Sequence, residues 1–257
     1  MTPPTGSREL LAQFEIKLPP DDGLTQDQEW CDVRVDDAVR RIRFHDYSEI
    51  YSIPGLYEQI FYDLLRCDSP RFVCSRLGHA LEQAEFDPAE LAVLDLGAGN
   101  GIVAEELRGV GASTVIGVDL LEEAAEAAER DRPGIYDDYL ACDMTALSAQ
   151  DADELDGREL NCLTTVAALG FGDIPPEVFN AAYERIAEDG WVAFNINEGF
   201  TSGGDRSGFA GVIADSLDAG ALELWDQSRY RHRLSTRGEP IFYNSIIARK
   251  RGRLAGF

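Results

Sequence analysis

The sequence contains very little lysine, and one sign of charge dominates it. Of 257 residues, 23 are Lys or Arg and 47 are Asp or Glu, which gives a formal net charge of −24. Only Lys17 and Lys250 are lysines. A chain this acidic lacks the excess of cations that binding to a phosphate backbone requires. The same charge balance argues against binding to an anionic membrane surface, which attracts basic segments. Nucleic acid and membrane are therefore not expected partners.

Long apolar runs and cysteine motifs are missing as well. No stretch reaches the roughly 18 apolar residues of a membrane-spanning helix. The first residues show no basic segment followed by an apolar one, so no secretory signal is expected. The five cysteines are odd in number and form no Cys-x-x-Cys motif, which argues against a disulfide framework and against a zinc site. We therefore predict no metal and a cytoplasmic location.

One segment runs against the acidic composition. Residues 229–257 contain eight basic residues and a single acidic one, Glu239. Such a segment could bind an anionic partner such as RNA, or it could be a charged outer strand that discourages edge-to-edge pairing. The second interpretation is favoured, because no aromatic or glycine-rich RNA-binding motif accompanies the arginines.

The apolar pattern divides the chain into three parts. Residues 1–30 are rich in Pro, Asp and Gln and are predicted to be a flexible or loosely packed arm. Residues 31–90 place apolar side chains at helical spacing, beginning with Val35, Val39 and Ile42, and are predicted to form a helical lid. Residues 91–257 carry short apolar runs that alternate with helical segments, which is typical of βαβ units around a parallel sheet. The last two runs, 221–235 and 240–249, predict an antiparallel hairpin.

A glycine-rich segment, VLDLGAGNG, occupies residues 93–101, directly after the first predicted strand and directly before a helix. Its three glycines, Gly97, Gly99 and Gly101, allow a tight turn and close approach of a ligand. The dinucleotide fingerprint Gly-x-Gly-x-x-Gly would place its third glycine at Ile102, so this fingerprint fails. The spacing here is Gly-x-Gly-x-Gly, preceded by Asp95.

This segment resembles the first motif of the class I S-adenosylmethionine-dependent methyltransferases. The resemblance continues in order along residues 90–250. The strand that ends in Asp119 is similar to the second motif, and the segment 140–144, which contains Asp143, is similar to the third. The segments 160–166 and 188–192 are similar to the fourth strand and to the glycine turn that opens the fifth. The resemblance implies an α/β fold with a seven-stranded, mostly parallel Rossmann-like sheet, the antiparallel C-terminal hairpin and an N-terminal helical lid.

The resemblance also implies S-adenosylmethionine as cofactor. The glycine turn would wrap the amino-acid end of the cofactor, Asp119 would accept hydrogen bonds from the ribose, and Asp143 with Met144 would contact the adenine. Asp143 could instead cap a turn, and Thr165 could be an ordinary strand residue. The cofactor-binding set implied in this way is Asp95, Gly97, Ala98, Gly99, Asn100, Gly101, Asp119, Leu120, Asp143, Met144 and Thr165.

The substrate side carries weaker signals. The branches that methylate amino groups of adenine and cytosine and the amide of glutamine carry an Asn/Asp-Pro-Pro-aromatic tetrad after the fourth strand. This chain lacks that tetrad and looks more like the small-molecule branch. Aromatic side chains with a polar tip suit a lid that meets both an apolar ligand and water. We expect Tyr47 and Tyr51, four residues apart, to contact the acceptor, and His45 is a candidate general base.

Together these observations predict methyl transfer from S-adenosylmethionine to a small, partly apolar molecule that is neutral or cationic. The enzyme would act mainly by positioning the acceptor, because the sulfonium methyl is already electrophilic. Two alternatives stay open: a nicotinamide-dependent oxidoreductase, and a protein that binds the cofactor without catalysing a reaction.

Overall fold

The fold begins with a small antiparallel sheet, seen in a computed structural model that describes residues 14–19, 23–169, 173–198 and 208–257. Residues 1–13 and 20–22 of the predicted arm lie outside the described residues. The part of the arm that is described packs against the molecule, because the backbone of Phe14 exchanges two hydrogen bonds with the Gln59 side chain. The three strands are β1 (Ile16–Lys17), β2 (Trp30–Val35) and β3 (Ala38–Arg43).

The prediction of a helix over residues 31–43 is wrong. Asp36 and Asp37 adopt positive φ angles of 47° and 65° and connect the antiparallel strands β2 and β3 between Val35 and Ala38. A two-residue connection with positive φ at both positions matches the right-handed twist of a hairpin. Val35 lies on one strand and Val39 and Ile42 on the next, so their helical spacing is accidental. Val39 does not belong to an apolar helix face, because its side chain is exposed.

Helices follow, as the sequence predicts for the rest of this region. They are α1 (Tyr47–Ser52), α2 (Leu56–Glu58), which continues into a π-helical turn (Gln59–Leu64), and α3 (Ser69–Gln83). We call residues 47–64 the lid. The lid and the small sheet share one apolar core, formed by Cys31, Val33, Ile42, Phe44, Ile50, Leu56, Ile60, Phe61 and Leu65.

The central element is a seven-stranded sheet with the order β6-β5-β4-β7-β8-β10-β9. All neighbouring pairs are parallel except the two that β10 makes with β8 and β9, which are antiparallel. This arrangement confirms the predicted fold class. The strands are β4 (Ala92–Leu96), β5 (Thr114–Asp119), β6 (Asp138–Ala141), β7 (Cys162–Thr165), β8 (Trp191–Asn197), β9 (Leu222–Leu234) and β10 (Pro240–Lys250).

Helices cover both faces of this sheet and bury two separate apolar clusters against it. The crossover helices are needed because parallel strands cannot be joined by a short turn. One of them, residues 149–156, has no counterpart in the predicted pattern, since it is short and carries four acidic residues. The helices are α4 (Ile102–Val110), α5 (Glu122–Asp131), α6 (Ala149–Asp156), α7 (Pro176–Glu184) and α8 (Gly208–Asp218).

The basic C-terminal segment is largely paired with acids of the same chain. Arg229 binds Glu198, with 2.6 Å between Nε and Oε2. Arg233 is buried and forms an ion pair with the buried Glu29. Acids of the same chain thus neutralise part of the basic segment, while the buried Arg233 does not lie on an exposed outer face of the strand. Across the part of the chain that the structure describes, none of the helices combines the length and the apolar character needed to cross a membrane.

Candidate active site

A cavity of about 730 Å³ opens at the carboxyl ends of four neighbouring strands, β6, β5, β4 and β7, under the lid. This is the edge at which open α/β sheets bind ligands. Pockets of 300–1,000 Å³ are typical for small-molecule sites, so there is room for a nucleoside-sized cofactor together with an acceptor. The predicted residues that line it are His45, Tyr47, Tyr51, Gly97, Asp119, Leu120, Asp143 and Met144.

The glycine turn, residues 97–101, reaches the cavity wall at Gly97. The backbone N–H groups of Gly97 and Ala98 both donate to the Val118 carbonyl, at 2.8 and 3.1 Å, which ties the turn to β5. Gly97 has a φ of +74°, and a Cβ placed on it would stand 2.9 Å from the Cβ of Ala168. A residue larger than glycine at this position would therefore push the turn away from the end of β7.

The carboxylate of Asp119 connects the glycine turn to the chain after β5. Its two oxygens accept hydrogen bonds from the backbone N–H groups of Gly99 (3.0 Å) and Leu121 (3.1 Å). Burial raises its pKa, while these hydrogen bonds act in the opposite direction. Asp119 also lines the cavity, so one side chain both orders the turn and faces the ligand space.

Asp95 lies beneath the turn and is not among the residues that line the cavity. It is fully buried, and its carboxylate accepts hydrogen bonds from the hydroxyls of Thr164 and Tyr136, both at 2.8 Å. Burial raises its pKa to about 6. The Tyr136 hydroxyl also lies 3.1 Å from the Ala98 carbonyl, so Asp95 supports the turn from below.

Asp143 and Met144 follow β6 and lie on the cavity wall. The carboxylate of Asp143 accepts hydrogen bonds from the backbone and the hydroxyl of Thr145, at 2.8 and 2.7 Å. The turn-capping role that the sequence left open is therefore real, and it occurs at a residue that also faces the cavity.

Other members of the predicted set lie off the wall. Thr165 is fully buried, and its hydroxyl donates to the Leu96 carbonyl at 2.8 Å, which is the behaviour of a core strand residue. Asn100 is buried, and its side-chain amide lies 3.4 Å from carboxylate oxygens of Glu58 and Asp131. The predicted residues that the structure does not bring to the cavity wall are Asp95, Ala98, Gly99, Asn100, Gly101 and Thr165.

The lid closes the cavity with aromatic rings. Tyr47 and Tyr51 stack with their ring centroids 6.1 Å apart, and Tyr57 packs on Tyr51 at 4.9 Å. All three line the cavity. Burial raises the pKa of each hydroxyl, so these groups remain neutral at physiological pH. The lid thus offers the ligand an apolar surface with neutral polar tips.

Several side chains that sequence reasoning missed complete the site. Glu58 of the lid pairs with Arg132, which follows α5, at 2.7 Å. The hydroxyl of Tyr139 donates to the Gly99 carbonyl at 2.9 Å. Asp173 meets His45 on the cavity wall, with 3.1 Å between Oδ2 and Nδ1. No sequence signal joins these groups, because each pair is separated by 40 or more residues in the chain.

The charge of the cavity fits a cationic ligand. Among the described residues, the cavity lining contains no Lys or Arg. It contains five carboxylates, those of Asp46, Glu49, Asp119, Asp143 and Asp173. A sulfonium cofactor carries positive charge that these groups attract, whereas the pyrophosphate of a dinucleotide would be repelled. The residues present therefore fit S-adenosylmethionine, and they argue against the nicotinamide alternative.

The strand order and a glycine turn beside an acidic strand end define the class I methyltransferase architecture. A family model described as "Methyltransferase domain" matches residues 68–236, more than half of the chain. The chain belongs to this methyltransferase family. The predicted class is thereby confirmed, and so is S-adenosylmethionine as the cofactor of that class.

Individual proteins give the same result. Residues of the chain are 36% identical over 103 positions to a ubiquinone biosynthesis O-methyltransferase of Thiobacillus denitrificans, covering 40% of this chain and 43% of that protein. The match thus spans less than half of that relative.

Two solved structures share the fold at low identity. A methyltransferase of Clostridium acetobutylicum has a TM-score of 0.52 at 14% identity, over 77% of this chain and 97% of that one. A methyltransferase of Anabaena variabilis has a TM-score of 0.51 at 13% identity, over 82% and 96%.

Proposed function

We propose that this protein transfers the methyl group of S-adenosylmethionine to a small, partly apolar molecule held under the lid. The observation that carries the proposal is the cavity itself. It joins the glycine turn and the Asp119 carboxylate to the aromatic lid in one space of about 730 Å³. The partial match to an O-methyltransferase whose name places it in ubiquinone biosynthesis supports a small-molecule acceptor.

Several residues would hold the cofactor. The turn around Gly97 would receive its amino-acid end, Asp119 its ribose hydroxyls, and Asp143 with Met144 its adenine. When bound, the cofactor supplies an electrophilic methyl group. The chain itself orders the turn through Asp95, excludes water with the lid, and holds the acceptor against Tyr47 and Tyr51. Positioning of this kind accounts for most of the rate enhancement that the reaction needs.

The acceptor would be neutral or cationic, because the cavity is lined by carboxylates. An anionic acceptor would meet like charges in a space of low dielectric constant, where repulsion is strong. Its remaining surface would be apolar, to match the lid rings and the side chains of Ile174, Pro175 and Val178 at the start of α7. The cytoplasm is the proposed location, and the proposal includes neither a metal nor a nucleic-acid partner.

Calorimetry with S-adenosylhomocysteine, in parallel with NAD, tests the cofactor assignment. The wild type should bind the former and not the latter. Asp119→Ala should weaken binding by about 1–3 kcal/mol, because it removes the acceptor of the ribose hydroxyls and of two backbone N–H groups. Asp153→Ala, an exposed residue of α6, is the matched control and should leave the affinity unchanged.

The outcomes separate the candidate functions. Tight binding of NAD without binding of S-adenosylhomocysteine would overturn the proposal. Binding of S-adenosylhomocysteine, with no methyl transfer to any compound in a cell-extract screen that uses labelled S-adenosylmethionine, would favour a non-catalytic binding protein.

A further inference from the structure

His45 and Asp173 form an acid–base pair on the wall of the cavity. The Nδ1 atom of His45 lies 3.2 and 3.1 Å from the two carboxylate oxygens of Asp173. The two side chains are 18% and 28% exposed, so the pair is sheltered without being sealed off. His45 directly precedes the lid and Asp173 precedes α7, and the two are 128 residues apart in sequence. Both line the cavity.

From this geometry we propose that the acceptor is a hydroxyl compound, that His45 is the general base that removes its proton, and that Asp173 orients the His45 ring. The proposal rests on the proposed methyl transfer and specifies its acceptor. A hydroxyl holds its proton at neutral pH and needs a base as it becomes a nucleophile. A carboxylate that accepts a hydrogen bond from one ring nitrogen fixes the tautomer and stabilises the protonated ring.

Every proton and electron pair in the proposed step can be accounted for. With Nδ1–H donating to Asp173, the Nε2 atom of His45 takes the hydroxyl proton. The O–H electron pair becomes the attacking pair of the acceptor oxygen. The new bond joins that oxygen to the methyl carbon, the bond from methyl carbon to sulfur breaks, and its electron pair stays on sulfur. The products are a methyl ether, S-adenosylhomocysteine and a proton, which His45 later releases to solvent.

The surroundings of the ring favour this role. The ring of Tyr47 packs edge-on against it, with 5.7 Å between centroids. The titratable and charged groups that face His45 from the elements around it are Asp173, the adjacent Asp46, Asp27 before β2, Tyr47 and Tyr57 of the lid, and Cys67, His232, Arg233 and Tyr243, which line a smaller cavity with it.

The apolar wall narrows the acceptor further. The lid tyrosines and the start of α7 form surfaces that suit a flat ring, and aromatic rings pack on one another in offset or edge-on geometry. Since a phenol loses its proton far more readily than an aliphatic alcohol, the general base and the aromatic wall together favour a phenolic hydroxyl over an aliphatic one.

The experiment uses the full chain, labelled S-adenosylmethionine and matched pairs of probes, each phenol or catechol paired with the aniline or benzylamine of the same shape. The wild type should methylate members of the hydroxyl set. His45→Gln should lower kcat for them by about 10²–10⁴-fold, the range typical of a lost general base. Asp173→Asn should cause a smaller loss. His79→Gln, an exposed histidine of α3, is the matched control and should behave as wild type.

Three readouts distinguish a base from a residue that only holds the lid in place. The affinity for S-adenosylhomocysteine, measured by calorimetry, should stay within about twofold in His45→Gln, because the base acts on the acceptor and not on the cofactor. The acid limb of the kcat/KM profile should disappear in that variant. Imidazole added to a His45→Gly variant should restore part of the rate.

Specific results would overturn the inference. They are full hydroxyl methylation by His45→Gln with an unchanged pH profile, or methylation of the amine probes alone by the wild type. Either result would leave methyl transfer itself standing. Failure of the wild type to bind S-adenosylhomocysteine would instead overturn the proposed function on which the inference rests.

Discussion

The hydroxyl of Tyr51 lies directly above Gly99. A Cβ built on Gly99 would stand 2.5 Å from the Tyr51 hydroxyl oxygen and 3.3 Å from the ring carbon that bears it. The backbone of Gly99 also has a φ of +53°, a conformation that residues with a Cβ rarely adopt. The lid therefore packs on the glycine turn at Gly99, where the absence of a Cβ leaves room for the Tyr51 hydroxyl.

Replacing Gly99 by alanine should disturb both elements. Gly99→Ala should cost about 1–2 kcal/mol of unfolding free energy from the left-handed backbone alone. It should also displace Tyr51 and weaken the binding of S-adenosylhomocysteine. Adding Tyr51→Phe, which removes the hydroxyl, should recover part of the lost affinity. Chemical denaturation and calorimetry of the two single variants and the double variant measure this coupling.

Gly109, within α4, is the matched control for this substitution. A Cβ placed on Gly109 meets nothing within 4 Å. Alanine is favoured over glycine in a helix by roughly 0.5–1 kcal/mol, so Gly109→Ala should be stabilising and should leave the affinity unchanged. Strictly additive effects of Gly99→Ala and Tyr51→Phe would show that the lid and the turn are not coupled.

The stability of the protein should depend on pH through Asp95. Its pKa rises from 3.8 to about 6 on folding because the carboxyl is buried. Between about pH 4 and pH 6 the unfolded chain therefore loses this proton first, and the carboxyl destabilises the folded state as the pH rises. Asp95→Asn removes the effect and can keep the hydrogen bond from Thr164, while Tyr136 retains the Ala98 carbonyl as acceptor.

The measurement is the difference in unfolding free energy between Asp95→Asn and wild type as a function of pH. A shift of two pKa units corresponds to about 3 kcal/mol. The difference should change by about that amount in favour of the variant between pH 4 and pH 7. For Asp153→Asn, at an exposed position, the same difference should stay flat. A flat profile for Asp95→Asn would show that folding does not raise the pKa of the Asp95 carboxyl.

Opening of the lid should be controlled by the ion pair between Glu58 and Arg132. Both side chains are only 15% exposed, and Arg132 also binds Glu105 at 2.8 Å. Glu58→Gln should leave the guanidinium with a weaker partner and cost about 1–3 kcal/mol in lid closure. Hydrogen exchange over residues 47–64 should speed up, and S-adenosylhomocysteine should dissociate faster.

A surface pair provides the comparison. Glu15 binds Arg34 at 2.9 Å, but both side chains are largely exposed, and such pairs contribute little to stability. Glu15→Gln should therefore leave hydrogen exchange in the lid unchanged. Equal rates of lid exchange in Glu58→Gln and wild type would mean that the aromatic contacts alone hold the lid closed.

Much of the sheet was readable from the sequence, because each buried parallel strand is a short apolar run between helical segments. The runs at 91–96 and 191–196 correspond to β4 and β8 within one residue. The hairpin that turns at Asp36 and Asp37 could not be predicted from the sequence, because Val35, Val39 and Ile42 recur at helical spacing. The acidic helix α6 was missed for the opposite reason: it has too few apolar residues to produce a period.

For the site, sequence order determined which groups follow the strands. Gly97 follows β4 directly, Asp119 is the last residue of β5, and Asp143 comes two residues after β6. The carboxyl ends of such parallel strands must meet at one edge of the sheet. For this reason the order of motifs along the sequence was enough to predict which of these residues line the cofactor part of the cavity. The position of Asp95 under the turn was also expected from the resemblance. Only the tertiary structure decided that Thr164 and Tyr136 hold Asp95 there, that Tyr51 closes over Gly99, and that Asp173 meets His45. Those contacts depend on how separate segments pack together, and no local spacing encodes the packing of residues that are 40 or more positions apart.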